Sequence, residues 1–300
     1  ASRAGVASGI LARRHAASTA AVPARARGCT AAASRRPFVS GVIRVVRGGA
    51  FAEALADELG KLDGGAIDAS HVKRLLDAQG RLLKGDPHSA VYLATLAGRD
   101  CYCKLFLAKS RRQSLLFRLT RGRGQRSFDV ARRLYDLELP VPEPLACLGL
   151  PGAVLFVAAR VPGSDLKALW LEEPQSDEWP GALSASGRAL AGLHGTGFSH
   201  GDTKWSNLLW DGDTITLVDL DAVRRSPVRS RRARDLARFT LNAEEMGVPA
   251  SLYEHFLGSY QLATGESRAK LEDMTLRVLR VLRRRHLKRY GPRGHRLLGD

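Results

Sequence analysis

The sequence predicts an α+β fold of two lobes, a smaller one rich in strands and a larger helical one. Three observations carry this. Short apolar, strand-length runs with turn signals recur between residues 89 and 159. The stretch Pro140-Val-Pro-Glu-Pro144 interrupts them as an extended connector, because proline and the residue before it resist the helical region. Beyond Pro162-Gly163, apolar residues recur at helical spacing instead. Strands first and helices later is the pattern of segregated α+β architecture.

Taken in order, Phe51 to Leu59 and Ala69 to Gln79 read as short helices, and Asp68-Ala-Ser-His-Val offers N-cap candidates for the second. Ser89 to Leu96 and Cys101 to Ala108 form a predicted hairpin around Ala97-Gly98-Arg99-Asp100. Arg126 to Leu137 is helical in pattern. Leu145 to Leu148 and Ala153 to Ala159 are strands split at Pro151-Gly152. Helices follow over Asp165 to Leu171 and Ala182 to His194. A strand pair, Asn207 to Trp210 and Thr214 to Val218, encloses Asp211-Gly212-Asp213, and the chain is helical from about Arg231. The expected division is 1–41 as a disordered basic tail, 42–160 as the strand-rich lobe and 161–300 as the helical lobe.

Composition removes several classes. The 300 residues are 44% hydrophobic, too apolar for a wholly disordered chain and enough for a sizeable core. Four Cys without a CxxC exclude a disulfide framework and a zinc ribbon. Cys101 and Cys103 share one strand face, a packing pattern. No apolar run approaches the ~18 residues of a membrane span.

The net charge of +17 implies an anionic partner. It is unevenly placed. Residues 1–41 hold seven Arg and no Asp, Glu or Lys. Three readings stand for that tail: a targeting peptide, a nucleic-acid-binding arm, or read-through from an upstream start in a GC-rich genome. Nine Arg or Lys lie between Leu276 and Arg296. There Leu276, Leu279, Leu282 and Leu287 recur beside a stripe of Arg277, Arg280, Arg284 and Lys288, which predicts a basic amphipathic helix. Its basic face is either solvated or laid against anionic lipid head groups.

The segment that carries chemistry is His200-Gly-Asp-Thr-Lys-Trp-Ser-Asn207, followed by the strand Ile215-Thr-Leu-Val and then Asp219-Leu-Asp221. Phosphoryl transfer needs such parts. One carboxylate, Asp202, orients the attacking hydroxyl and accepts its proton. Asp219, at a strand end, and the Asn207 amide supply hard oxygens for Mg²⁺ bridging the ATP phosphates. A strand lysine, Lys104, pairs with the phosphates.

These motifs resemble the protein kinase-like superfamily, whose catalytic loop has the same Asp-to-Asn spacing of five. Within it the chain resembles the bacterial lipopolysaccharide kinases, which phosphorylate Kdo or heptose of the inner core. The resemblance rests on Tyr102-Cys-Lys-Leu-Phe106, on Leu139-Pro-Val-Pro-Glu-Pro-Leu145, on the lead-in from Leu190 to Asp202, and on Arg234-Asp-Leu-Ala-Arg238. It covers about Leu83 to Tyr260. It implies a bilobal kinase-like fold, with ATP and Mg²⁺ as cofactors. Asp202 would be the base, Asn207 and Asp219 the metal ligands, Lys104 the phosphate lysine, and Lys204 either a neutraliser of the transferred phosphate or an exposed loop lysine. His200 and Asp235 would brace the loop, and Trp205 and Trp210 would pack around it.

The sequence also departs from that pattern. Gly201 replaces an Arg, Asp221 replaces a Gly, and the loop over Lys84 to Tyr92 has one Gly. The helix position that should hold a Glu partner for Lys104 holds Ser127, with Asp129 two residues on as the candidate substitute. Arg224, Arg225 and Arg229 crowd after Asp221, as solvated arginines or as a rim gripping an anionic glycolipid acceptor. The expected setting is the cytoplasm, or the cytoplasmic face of the inner membrane. Alternatives are an aminoglycoside- or choline-type kinase, which would need an acidic acceptor pocket, and a catalytically impaired kinase-like protein. A nucleic-acid role is disfavoured by 6% aromatic content and the lack of an RNA-binding motif.

Overall fold

The computed structural model describes residues 43–61, 67–110, 122–226 and 228–299. The expected tail over 1–41 lies outside them. Strand β1 (Arg44–Gly48) leads into α1 (Ala50–Lys61) and α2 (Ala69–Gln79). Of the cap candidates it is Asp68 that caps α2, its Oδ1 accepting from the Ser70 and His71 amides at 2.8 and 3.1 Å.

Strands β2 (Arg81–Asp86), β3 (Ser89–Leu96) and β4 (Arg99–Leu107) form a meander. Helix α3 (Arg123–Asp136) precedes the hairpin β5 (Pro144–Leu150) and β6 (Ala153–Ala159). These strands make one antiparallel sheet of order β1-β5-β6-β4-β3-β2. Side chains alternate across a strand, so β4 has two distinct faces. Cys101, Cys103 and Leu105 join a core with Leu55 and Leu59 of α1 and with Val72 and Leu76 of α2. Tyr102, Lys104 and Phe106 therefore face the other way. Cys101, Cys103 and Cys147 are free and buried, and burial pushes the Cys101 thiol up to about 11 and the Cys147 thiol up to about 12.

The second half begins with β7 (Ser164–Asp165), α4 (Leu166–Glu172), α5 (Trp179–Gly195) and β8 (Phe198–Ser199). A 3-10 turn over Trp205–Asn207 precedes β9 (Leu208–Trp210) and β10 (Ile215–Leu217). A second turn over Leu220–Ala222 leads to β11 (Arg224–Arg225), then α6 (Arg229–Glu245), α7 (Ala250–Thr264) and α8 (Arg268–Tyr290). Trp170, Trp179 and Trp205 pack edge-on or stacked on one another in the larger core, with Phe239 tilted against Trp205, so Trp205 packs as expected. Trp210 is also buried and donates its indole N–H to Glu178 at 2.9 Å. The mixture of helices with antiparallel sheets is the predicted α+β class.

The last helix needs correction. It runs over Arg268–Tyr290 rather than to Arg296, and it buries Leu271, Thr275 and Leu279 at four-residue spacing. Leu287 is exposed, not part of the packed stripe. At Gly291 the backbone turns to a positive φ of 75°, and the chain folds back. Glu244 holds the returning segment. Its carboxylate accepts from Leu297 N at 3.0 Å and from Arg283, whose guanidinium also reaches Leu298 O at 2.7 Å. Arg277, Arg280, Arg284 and Lys288 form an exposed face. No helix among the described residues is long and apolar enough to cross a membrane.

Candidate functional site

The loop from His200 to Asn207 is held from beneath by α6. Asp235, fully buried, accepts from the His200 and Gly201 amides, both at 2.7 Å, and sits 3.1 Å from His194 Nε2. The Thr203 hydroxyl donates to the Asp235 carbonyl at 2.6 Å. This is the bracing expected of Asp235. Gly201 has φ +80°, and a Cβ there would stand 2.8 Å from Ala222 O. The tight pass of the segment after Asp219 is the physical reason for glycine at this position.

His200 is buried and serves as a brace. Burial lowers its pKa against the opposing charge of Asp235, so the ring is neutral. The hydrogen-bond network assigns the proton to Nε2, which donates to Val218 O at 3.0 Å, while Nδ1 accepts the Asp202 amide at 3.3 Å. The ring thus ties the loop to the end of β10.

Asp202 is held on both oxygens. Oδ1 is paired with Arg238, and Oδ2 lies 3.2 Å from both Lys204 Nζ and Asn207 Nδ2. Asn207 Nδ2 also donates to the Asp202 carbonyl at 2.8 Å. With its nitrogen so committed, the amide turns its oxygen to other partners. Separately, the main-chain carbonyl of Asn207 accepts Val218 N at 3.0 Å, which fixes the loop to the strand that delivers Asp219. Asp219 follows in a left-handed conformation, φ 57° and ψ 56°. Aspartate tolerates that region better than most residues, and the turn swings its carboxylate out of the strand line.

Lys104, opposite Val91 on β3 and Phe156 on β6, reaches Asp219 Oδ1 and Asp221 Oδ2, each at 2.8 Å. Burial alone would lower the lysine pKa, but the charges of Asp221 and Asp219 outweigh it and raise it. Burial likewise pushes Asp219 up, and Lys104, with Lys84 and Lys204, brings it below its ordinary value. Three lysines from separate segments therefore bear on one carboxylate.

The proposed substitute partner fails. Asp129 pairs with Arg47 of β1 at 2.9 Å, not with Lys104. Its carboxylate is drawn to the neighbouring strand, and the role falls to Asp221, which had stood out merely as the residue in a glycine's place. The other arginines also sort out. Arg224 donates to the Asp221 and Val223 carbonyls at 3.0 and 2.7 Å, so it braces the turn. Arg225 and Arg229 are exposed. Sequence reasoning missed Arg238. The signal was its place three residues after Asp235, on the same face of one helix.

Asp219 and Asn207 present hard oxygens, the donor chemistry that suits Mg²⁺. The described residues hold no cluster of three or more His, Cys, Asp or Glu that could cage an ion. Lys84, Lys104 and Lys204 provide the charge that a polyphosphate needs.

A family model described as lipopolysaccharide kinase (Kdo/WaaP) matches residues 84–260, more than half of the chain and every residue of the constellation. The chain belongs to that family. The matched span agrees with the range of the resemblance, Leu83 to Tyr260. Among curated proteins, the chain is similar to the 3-deoxy-D-manno-octulosonic acid kinase of Stenotrophomonas maltophilia (strain R551-3), with 32% identity over 125 residues. The similarity covers 39% of this chain and 49% of that protein, so the chain spans about half the length of the relative it matches. Membership of the lipopolysaccharide kinase family places Lys104, Asp202, Lys204, Asn207, Asp219 and Asp221 in its matched region.

Proposed function

We propose that the protein is an ATP- and Mg²⁺-dependent phosphotransferase that moves the γ-phosphate to a hydroxyl of Kdo or heptose in the lipopolysaccharide inner core. The observation that supports it most is the spatial convergence of Asp202, Asn207, Asp219 and Lys104 from three segments of the chain. Asp202 orients the acceptor hydroxyl and takes its proton, and Arg238 and Lys204 hold its two oxygens until the acceptor arrives. Asp219 and the Asn207 amide oxygen would hold Mg²⁺, which when bound neutralises charge on the phosphate oxygens. Lys104 binds and orients the nucleotide phosphates, and Lys204 offsets charge on the group in transfer.

On this reading the fold is the bilobal kinase-like one, with residues 42–160 binding nucleotide and 161–300 carrying the catalytic loop. Arg225 and Arg229, with Arg224 bracing the turn beneath, form the rim that grips an anionic glycolipid. The exposed basic face of α8 makes peripheral contact with anionic lipid at the cytoplasmic membrane surface. A cationic acceptor of the aminoglycoside or choline kind finds an arginine-rich rim here rather than an acidic one.

The test is Asp202→Ala assayed with ATP and purified core oligosaccharide. Loss of the base is expected to lower turnover by about 10²–10⁴-fold while the fold is retained. Undiminished turnover in the variant overturns the assignment. Mass spectrometry of lipopolysaccharide from cells with and without the gene then identifies the phosphorylated sugar.

A further inference from the structure

We infer that Asp221 is the positioning residue for Lys104, and that α3 acts on this lysine indirectly, through Ser127 and Arg123. This deepens the reading of Lys104 as the nucleotide-phosphate lysine and rests on it.

Asp221 meets three protein donors. Its Oδ2 receives Lys104 at 2.8 Å and Arg123 Nη2 at 3.2 Å. Its Oδ1 lies 2.9 Å from Ser127 Oγ. The Ser127 hydroxyl also lies 3.0 Å from the Arg123 carbonyl, but an ionised carboxylate is the stronger acceptor. Ser127 is buried at the helix position where a carboxylate partner was expected. A serine there is too short to reach a lysine. It is long enough to reach a carboxylate already delivered by the turn after Asp219.

The two aspartates that touch Lys104 differ in what else they can do. The Asp221 side chain is 15% exposed and faces Lys104, Arg123 and Ser127; the Asp219 side chain is 30% exposed and faces Lys104, Lys84 and Lys204. Asp219 is the one free to turn to a cation. Asp221 stays with the lysine when Asp219 leaves it. Asp129, two residues further along α3 and turned toward β1, is occupied by Arg47. The lysine's fixed partner therefore comes from the Asp-x-Asp segment, and α3 contributes the hydrogen bond that aims it. Displacing α3 withdraws the Ser127 hydroxyl and releases Asp221.

The first experiment needs no substrate. A double-mutant cycle on urea unfolding compares Asp221→Asn, Lys104→Met and the pair in metal- and nucleotide-free buffer. A second cycle compares Ser127→Ala with Asp221→Asn. Both cycles are expected to be non-additive. Additive effects overturn the proposal. The second experiment is kinetic. Asp221→Asn is expected to lower kcat/KM for ATP by about 10²-fold through a misplaced lysine. Adding Ser127→Glu, which puts a carboxylate back on α3 within reach of Lys104, is expected to recover at least tenfold of that loss. Failure of the rescue, with a raised Mg²⁺ requirement in Asp221→Asn, assigns Asp221 to the metal instead and overturns the proposal. If the cycles couple but the native protein transfers no phosphate, the kinase reading fails and the pairing stands.

Discussion

Replacing Asp235 tests whether the loop from His200 to Asn207 is held by one carboxylate. In the native protein its oxygens accept two backbone amides at 2.7 Å and face a buried histidine ring nitrogen at 3.1 Å. Asp235→Ala leaves the His200 and Gly201 N–H groups without their acceptor. Hydrogen bonds to charged groups contribute about 1.5–3 kcal/mol each, so losing the two shortest costs about 3–6 kcal/mol. Asp235→Asn keeps one oxygen and turns a donor toward the other amide, so about half that loss is expected. Such a loss is a large share of a typical domain stability of about 5–15 kcal/mol. Urea unfolding followed by tryptophan fluorescence reads it, because buried Trp205 lies in the loop and stacks on Trp179. A change below about 1 kcal/mol in Asp235→Ala would refute the claim that this carboxylate supports the loop.

Two further outcomes follow from packing and burial. Gly187 on α5 lies against α7, and a Cβ there would stand 2.4 Å from Phe256 O and 2.9 Å from Tyr260 N. Gly187→Ala is expected to force the helices apart at a cost of about 1–3 kcal/mol, and an unchanged melting temperature contradicts this. His200, held neutral by burial, has a native pKa below the ordinary 6.5. The unfolded chain therefore binds a proton that the native one refuses, and stability falls as pH drops below about 6.5. Comparing urea midpoints at pH 7.5 and 5.5 with those of His200→Gln isolates this residue, and equal slopes in both proteins reject it.

The sequence made some parts of the molecule plain for physical reasons. The hairpin of β3 and β4 was visible because Ala90, Tyr92, Ala94 and Leu96 alternate with partly exposed neighbours. The loop and the two groups proposed as metal ligands were visible because Asp202, Asn207 and Asp219 sit at fixed spacing around one strand pair. Strand β2 was hidden, since all six of its residues are exposed and it has no apolar face to announce it. The two-residue strands β8 and β11 arise from the pairing of Arg224 with Ser199 and Arg225 with Phe198, a tertiary event with no local signal. Arg238 and Asp221 were missed as partners because their roles depend on which cation or carboxylate the fold brings opposite them. Ser127 looked like the loss of a function. The structure makes it a donor to the residue that took the function over.

The three buried thiols of the large sheet give the protein an internal clock. Cys101 and Cys103 flank Lys104 by three and one positions on β4, and Cys147 lies on β5. Thiol reagents attack thiolates that solvent can reach, so these groups react at the rate at which the sheet opens. With Cys29 changed to serine, alkylation timed with and without nucleotide would report how firmly a ligand closes the very strand that carries Lys104.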